Sequence, residues 1–261
     1  MEFIQGSKFI SLCDDFYSND DDCYIIKKES INENCKVIYT HNHYIHNLLN
    51  YIKTCKKSYI IVSHNTDTNL DYIEIPDNVI NIFAQNVNYE HYKLKSIPIG
   101  LENDRWFPNI NKKLKIETKL NEQKKYKNLL YLNHNIHTNL KERQNLYYLL
   151  SNNEWVTSFL GHNGCDFDSY INNIYEHKFV VCPDGHGIDT HRMWETLYLK
   201  CIPIVKKSVN TRFYSDLPIC FVDSWEEITE TFLENEFERI ININWNLEKL
   251  DFNYWVKQIK I

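Results

Sequence analysis

Short apolar runs rich in β-branched and aromatic residues alternate along this chain with longer stretches of helical period. That alternation is the pattern of an α/β protein with parallel sheets. A strand is expected at 36–39, followed by a helix on whose one face Tyr44, Ile45, Leu48, Leu49 and Ile52 recur. SYIIVS at 58–63 reads as a buried strand ending in the polar cluster His64, Asn65, Thr66, Asp67, and 80–83 and 94–99 read as two more strands. Between 103 and 127 the chain turns polar and lysine-rich, the best place for a lobe boundary, although an ordinary solvated helix would look the same. The alternation then restarts: strand 129–132, helix 140–150, strand 178–182, helix 190–200, strand 202–205, strand 219–222, helix 225–233 and a last helix at 247–259.

These elements predict two small lobes. Residues 1–125 are expected to form an N-terminal Rossmann-like lobe, 126–245 a C-terminal lobe, and 246–261 a helix that crosses back onto the first lobe.

Composition narrows the class without naming a ligand. The chain has 261 residues, of which 43% are hydrophobic, enough to bury a core. Its net charge of −6 is spread among alternating Lys and Asp/Glu, which argues against a nucleic-acid partner. No stretch approaches the roughly 20 apolar residues of a membrane span, and no cationic segment precedes an apolar core, so a cytoplasmic protein is expected. The eight cysteines form no CxxC pair and read as reduced structural thiols. Abundant Asn, Ile, Lys and Tyr with few Gly and Pro suggest an AT-rich coding genome, such as that of a large virus, a parasite or a low-GC bacterium.

The richest stretch is KFVVCPDGHGIDTHRMWETLYLKCIPIV at 178–205, read as strand, loop, helix and strand. Its loop holds Pro183, Gly185 and Gly187, two of the chain's six glycines, where a backbone is expected to turn sharply and approach a ligand. Thr190 suits a helix N-cap, which aims the first N–H groups at that loop. Arg192 in the first turn can fork onto a phosphate there, and Glu195, three residues on, can accept from ribose hydroxyls. The plain alternative is a solvated ion pair between Arg192 and Glu195. Asn133 and Arg143, following the strand at 129–132, are further polar candidates for the same ligand, with an ordinary surface position the alternative for Arg143.

This run resembles the C-terminal signature of exostosin-like glycosyltransferases: an apolar strand ending in Pro, a Gly-containing loop, a hydroxyl residue, Arg, two residues, Glu, then Cys-Ile-Pro-Ile-Val. Thr190, Arg192, Glu195, Cys201 and Pro203 fill those positions, over about thirty residues, with weaker similarity through LPICFVDSWEEI at 217–228. The resemblance implies a GT-B-like fold of two Rossmann-like lobes around a cleft, and donor-binding roles for Arg192 and Glu195. It implies transfer of a sugar, from a UDP-sugar or other nucleotide diphosphate donor, to a glycan or glycosylated acceptor.

An inverting transferase needs a base in the first lobe. His64 and Asp67, beyond the strand at 58–63, are the candidates, with Glu102 a weaker one. No metal is expected: Asp20, Asp21 and Asp22, and Asp166 with Asp168, read as solvated loop, and His41, His43 and His46 lack further ligands. Arginine and helix N–H groups can stabilise the leaving diphosphate instead. A non-catalytic nucleotide-sugar or glycan-binding module is the alternative, while the lack of a GxGxxG after an early strand disfavours a nicotinamide-dependent oxidoreductase.

Overall fold

The computed structural model describes residues 1–18, 27–104, 112–160 and 166–260. The aspartates at 20–22, together with Cys23 and Cys165, lie outside the described residues.

The N-terminal half contains α1 (Gly6–Ile10), β1 (Asp15–Phe16), β2 (Val37–Thr40), α2 (Asn42–Ile52), β3 (Tyr59–Ser63), β4 (Val79–Ala84) and β5 (Leu94–Ser96). Its five strands pair in parallel in the order β1-β2-β3-β4-β5. A helix α3 (Lys112–Leu120) leads to the second half. There follow β6 (Asn128–His134), α4 (Leu140–Leu150), β7 (Val156–Leu160), α5 (Phe167–Glu176), β8 (His177–Val181) and α6 (His191–Tyr198). The chain ends with β9 (Ile202–Lys206), α7 (Val209–Arg212), β10 (Cys220–Val222), α8 (Glu230–Ile241) and α9 (Phe252–Ile259). Their strands form a second parallel sheet, β10-β9-β8-β6-β7. The protein is therefore α/β with two five-stranded parallel sheets, a two-lobe Rossmann-like and GT-B-like arrangement.

The two sheets differ in one respect that positions a site. In the first sheet, strand order follows chain order throughout. In the second, β7 lies on one side of β6 and β8 on the other, so the winding reverses between β6 and β8. Loops leaving the carboxyl ends of those two strands diverge there and leave a crevice.

Burial on both faces explains why the strands read as unbroken apolar runs: β2 and β3 are buried at every position. The outer faces carry separate clusters, one including Ile61, Ile82 and Leu48 of α2, the other Leu132, Ile204 and Leu146 of α4. The inner faces share a single cluster. It runs from Phe9, Val62 and Phe83 through Trp194, Leu197 and Tyr198 of α6 to Tyr131 and Val180. Helix α9 joins it through Phe252, Trp255 and Ile259, with Phe252 edge-on to Phe9 at 5.3 Å.

Polar contacts pin the same interface. The Ile4 N–H donates to the Tyr198 hydroxyl at 3.0 Å, and Phe252 N–H to Glu2 O at 2.8 Å. Asn210 Oδ1 accepts from Val87 N–H at 3.1 Å and from Ser96 Oγ at 2.7 Å.

Several elements depart from the sequence reading. The helix expected at 225–233 is a short 3₁₀ turn at Trp225–Glu227, closed by a capping box from Ser224, and then α8, which Thr229 caps. The last helix starts at Phe252, where Asp251 caps it, instead of at 247. Elements α1, β1, β7, α5 and α7 are additions to that reading. Asp166, discounted above as a metal ligand, accepts from Ser169 N–H at 2.7 Å and caps α5, while Asp168 pairs with Lys115. Among the described residues, no helix is long and apolar enough to cross a membrane.

Candidate functional site

A cleft of about 770 Å³ lies between the halves. One wall comes from the start of α2, the ends of β3 and β4 and the segment after β5: His43, Asn65, Thr66, Asp67, Gln85, Ile99, Glu102 and Asn103. The facing wall comes from the loops after β6 and β8 at the winding reversal: Thr138, Arg143, Gly185, His186, Gly187, Asp189, Thr190 and His191.

Arg143 holds that second wall together. Its Nε donates to Asp184 O at 2.7 Å, Nη1 to Asn135 O at 3.0 Å and Thr138 Oγ1 at 2.5 Å, and Nη2 to Pro183 O at 3.0 Å. These bonds tie the loop after β6 to the loop after β8. Burial and the nearby Arg192 push Arg143 down to about 10. Pro183 thus serves through its carbonyl and does not line the cleft.

The two loop glycines have reasons other than the ligand approach expected for them. A Cβ on Gly185 would come within 3.0 Å of Arg143 Nη2. One on Gly187 would meet Asn86 Nδ2 at 2.5 Å, where the halves touch. Asn86 is itself held, donating to Thr66 O at 2.9 Å and accepting from Asp189 N–H at 2.8 Å. Thr190 stands at the N-cap of α6 with extended backbone, but its side chain makes no capping bond.

Asp189 joins the walls. Its Oδ2 accepts from Ile99 N–H at 2.7 Å and its Oδ1 from Trp194 Nε1–H at 2.8 Å. Burial raises its carboxyl to about 7, against the lowering effect of those bonds.

Neither Arg192 nor Glu195 is among the residues that line this cleft; Arg192 is partly exposed, whereas Glu195 is buried. Glu195 is only 2% exposed. Its Oε1 is 3.2 Å from Lys112 Nζ and its Oε2 accepts from the Tyr170 hydroxyl at 2.6 Å. Burial alone would raise this carboxyl, but Lys112 and Tyr170 outweigh it and the net shift is downward. The solvated ion pair is therefore not what forms: both oxygens are engaged with protein partners in a buried setting. The guanidinium of Arg192 lies 5.8 Å from the Tyr170 ring centroid, and its Nε is buried without a hydrogen-bond partner. The neighbouring charge of Arg143 adds to a cationic patch at the ends of β6 and β8.

Asn133 is buried, with Nδ2 donating to the Tyr131 hydroxyl at 2.7 Å, and does not reach the cleft. His64 also fails as a base. It is wholly buried and stacked on Phe9 at 4.8 Å. Its Nε2 donates to Pro98 O at 2.9 Å while Nδ1 accepts from Asn65 N–H at 2.7 Å, so both nitrogens are engaged, and burial holds the ring down at about 4.

Asp67 does line the cleft, with a 71% exposed side chain 3.7 Å from His186 Nδ1 across the gap. Close by, His191 Nδ1 donates to Gly100 O at 2.7 Å and Nε2 lies 3.2 Å from Glu102 Oε2. His191 drew no attention in the sequence, because its partners lie about ninety positions away. Among the described residues, no cluster of three or more His, Cys, Asp or Glu side chains could hold a metal ion.

No protein-family model matches the chain, and no curated protein is significantly similar to it in sequence.

Proposed function

We propose that this protein is a glycosyltransferase that moves a sugar from a nucleotide diphosphate donor of the UDP-sugar kind to a glycan or glycosylated acceptor. The reading is supported most by Arg192, a guanidinium whose buried Nε lacks a partner beside a second arginine at the winding reversal of the C-terminal sheet. An unpartnered guanidinium Nε with a second arginine close by favours an anion, and a diphosphate matches the planar donors of Arg192, while Arg143, engaged with the loops, adds its charge to the local field. Glu195 acts as a positioning residue, holding the Tyr170 hydroxyl and so the ring beside Arg192.

In the proposed reaction an acceptor hydroxyl attacks the anomeric carbon, the bond to the diphosphate oxygen breaks, and its electron pair leaves with the diphosphate. Arg192 stabilises that leaving charge, so the step needs no metal. The hydroxyl proton passes to a carboxylate on the N-terminal wall. Asp67 is open to the cleft, and Glu102 is steadied by His191. The resemblance of the 178–205 run to exostosin-like transferases agrees with this reading and carries it no further.

Thermal shift with UDP, GDP and their sugars tests the binding half, because a true ligand stabilises by mass action. Arg192→Leu is expected to stay folded and to weaken UDP binding at least tenfold. Melting temperatures that no nucleotide raises would sink the proposal. Nucleotide binding without release of UDP in the presence of sugar acceptors would instead favour the non-catalytic module.

A further inference from the structure

At the floor of the cleft sits a polar side chain that the fold does not use. Gln85 is 1% exposed, lines the cleft, and has its Oε1 buried without a hydrogen-bond partner. The other amides of this wall are engaged. Asn65 Nδ2 donates to the Tyr39 hydroxyl at 2.8 Å and its Oδ1 accepts from Asn103 Nδ2 at 3.0 Å. Asn103 Oδ1 in turn accepts from Ser7 N–H at 2.8 Å.

The contrast with the next strand is direct. Ser63 pairs with Ala84 in register, so His64 and Gln85 occupy equivalent positions just past β3 and β4. His64 satisfies both ring nitrogens within the protein, whereas the neighbouring amide does not satisfy its oxygen. An unpaired buried amide is destabilising, and an apolar side chain of the same length would avoid the penalty.

We infer that Gln85 recognises a hydroxyl group of a sugar bound in the cleft. An amide both donates and accepts, as a hydroxyl does, and it is uncharged, so it matches the neutral part of a ligand and not its phosphates. A site built to bond a hydroxyl discriminates strongly against analogues lacking one. The inference rests on the sugar half of the proposed function. The hydroxyl has two possible sources, the donor's sugar or the acceptor's, with the same chemistry.

Gln85→Met, similar in length but without the amide, separates the outcomes. Affinities are measured by calorimetry for UDP, for a panel of UDP-sugars and for free mono- and disaccharides, on wild type and variant. A hydroxyl of the donor's sugar is indicated if the variant binds UDP normally but loses, on the order of tenfold, the extra affinity of a UDP-sugar. An acceptor hydroxyl is indicated if binding of a free saccharide falls by that factor while UDP-sugar affinity holds. In both cases the ligand-free variant should melt about 2–4 °C higher than wild type, as expected when an unpaired buried group is removed. Where Gln85→Met does not fold, Gln85→Ala supplies the same affinity comparison. Unchanged sugar affinity, or a wild-type protein that binds no saccharide and prefers no UDP-sugar over UDP, overturns the inference. Nucleotide binding without sugar discrimination therefore leaves the phosphate site standing and removes only Gln85's role.

Discussion

The hydroxyl of Tyr170 donates to Glu195 Oε2 at 2.6 Å, on the side of the carboxylate opposite Lys112. A helix residue that looks solvent-facing in sequence is thereby enclosed between α3, α5 and α6. Removing one partner of a buried ionic group leaves the other uncompensated. Glu195→Ala should therefore lower unfolding free energy by about 3–5 kcal/mol. Tyr170→Phe should lower it by about 1–3 kcal/mol, the cost of one unpaired buried polar atom. Urea denaturation of the ligand-free protein measures both, and a change below 0.5 kcal/mol for Glu195→Ala, roughly the scatter of surface substitutions, would contradict the buried network.

His64 should remain neutral down to about pH 4. Its folded value lies below the unfolded value near 6.5, so its contribution is present above about pH 6.5 and lost as pH falls through the folded value. A difference of this size corresponds to about 3 kcal/mol. The stability advantage of wild type over His64→Gln should shrink between pH 7 and 4, and an NMR titration of the ring should show no midpoint near 6.5.

Asp189 works in the opposite sense. Its folded carboxyl value, near 7, lies above the unfolded value near 3.8. The folded state therefore holds this proton over the window between them, and stability from this group declines as pH rises from about 4 to 7. Wild type should lose ground to Asp189→Asn over that window. A stability difference that stays flat with pH would show that Asp189 ionises normally.

Gly187→Ala should destabilise by about 1–3 kcal/mol, because the added carbon meets an Asn86 side chain anchored at both ends. The same substitution at an open loop position would be nearly neutral. A melting temperature unchanged by Gly187→Ala would mean that the halves do not touch there.

How far the sequence disclosed the molecule follows from the range of its interactions. Helix α4 was legible at its observed bounds, and β6, β8, β9 and β10 of the second sheet to within a few residues, because buried parallel strands are unbroken apolar runs flanked by polar loops. Strand β1, with two residues, and helix α1, with five, are too short to show a period. Helix α5 does carry a signal, with Phe167, Tyr170, Ile171 and Ile174 on one face after the cap Asp166, but the polar residues before it read as loop. Position at the site was less legible. The sequence marks 183–195 as chemically rich, yet Glu195 faces Lys112, His64 faces Pro98 and Gly187 faces Asn86. Each of those partners is more than thirty residues away, and no local pattern records them.

The apolar cluster shared by both inner faces has a mechanical consequence. Swinging the halves apart would carry Trp194, Leu197 and Tyr198 into water, and burial of side chains of this size is worth roughly 1.5–3 kcal/mol each. The gap between the walls is thus a slot of nearly fixed width, filled from its mouth instead of clamped shut. Severed between its two sheets, the chain would yield fragments that each bare an oily flank, and neither would stand alone in water.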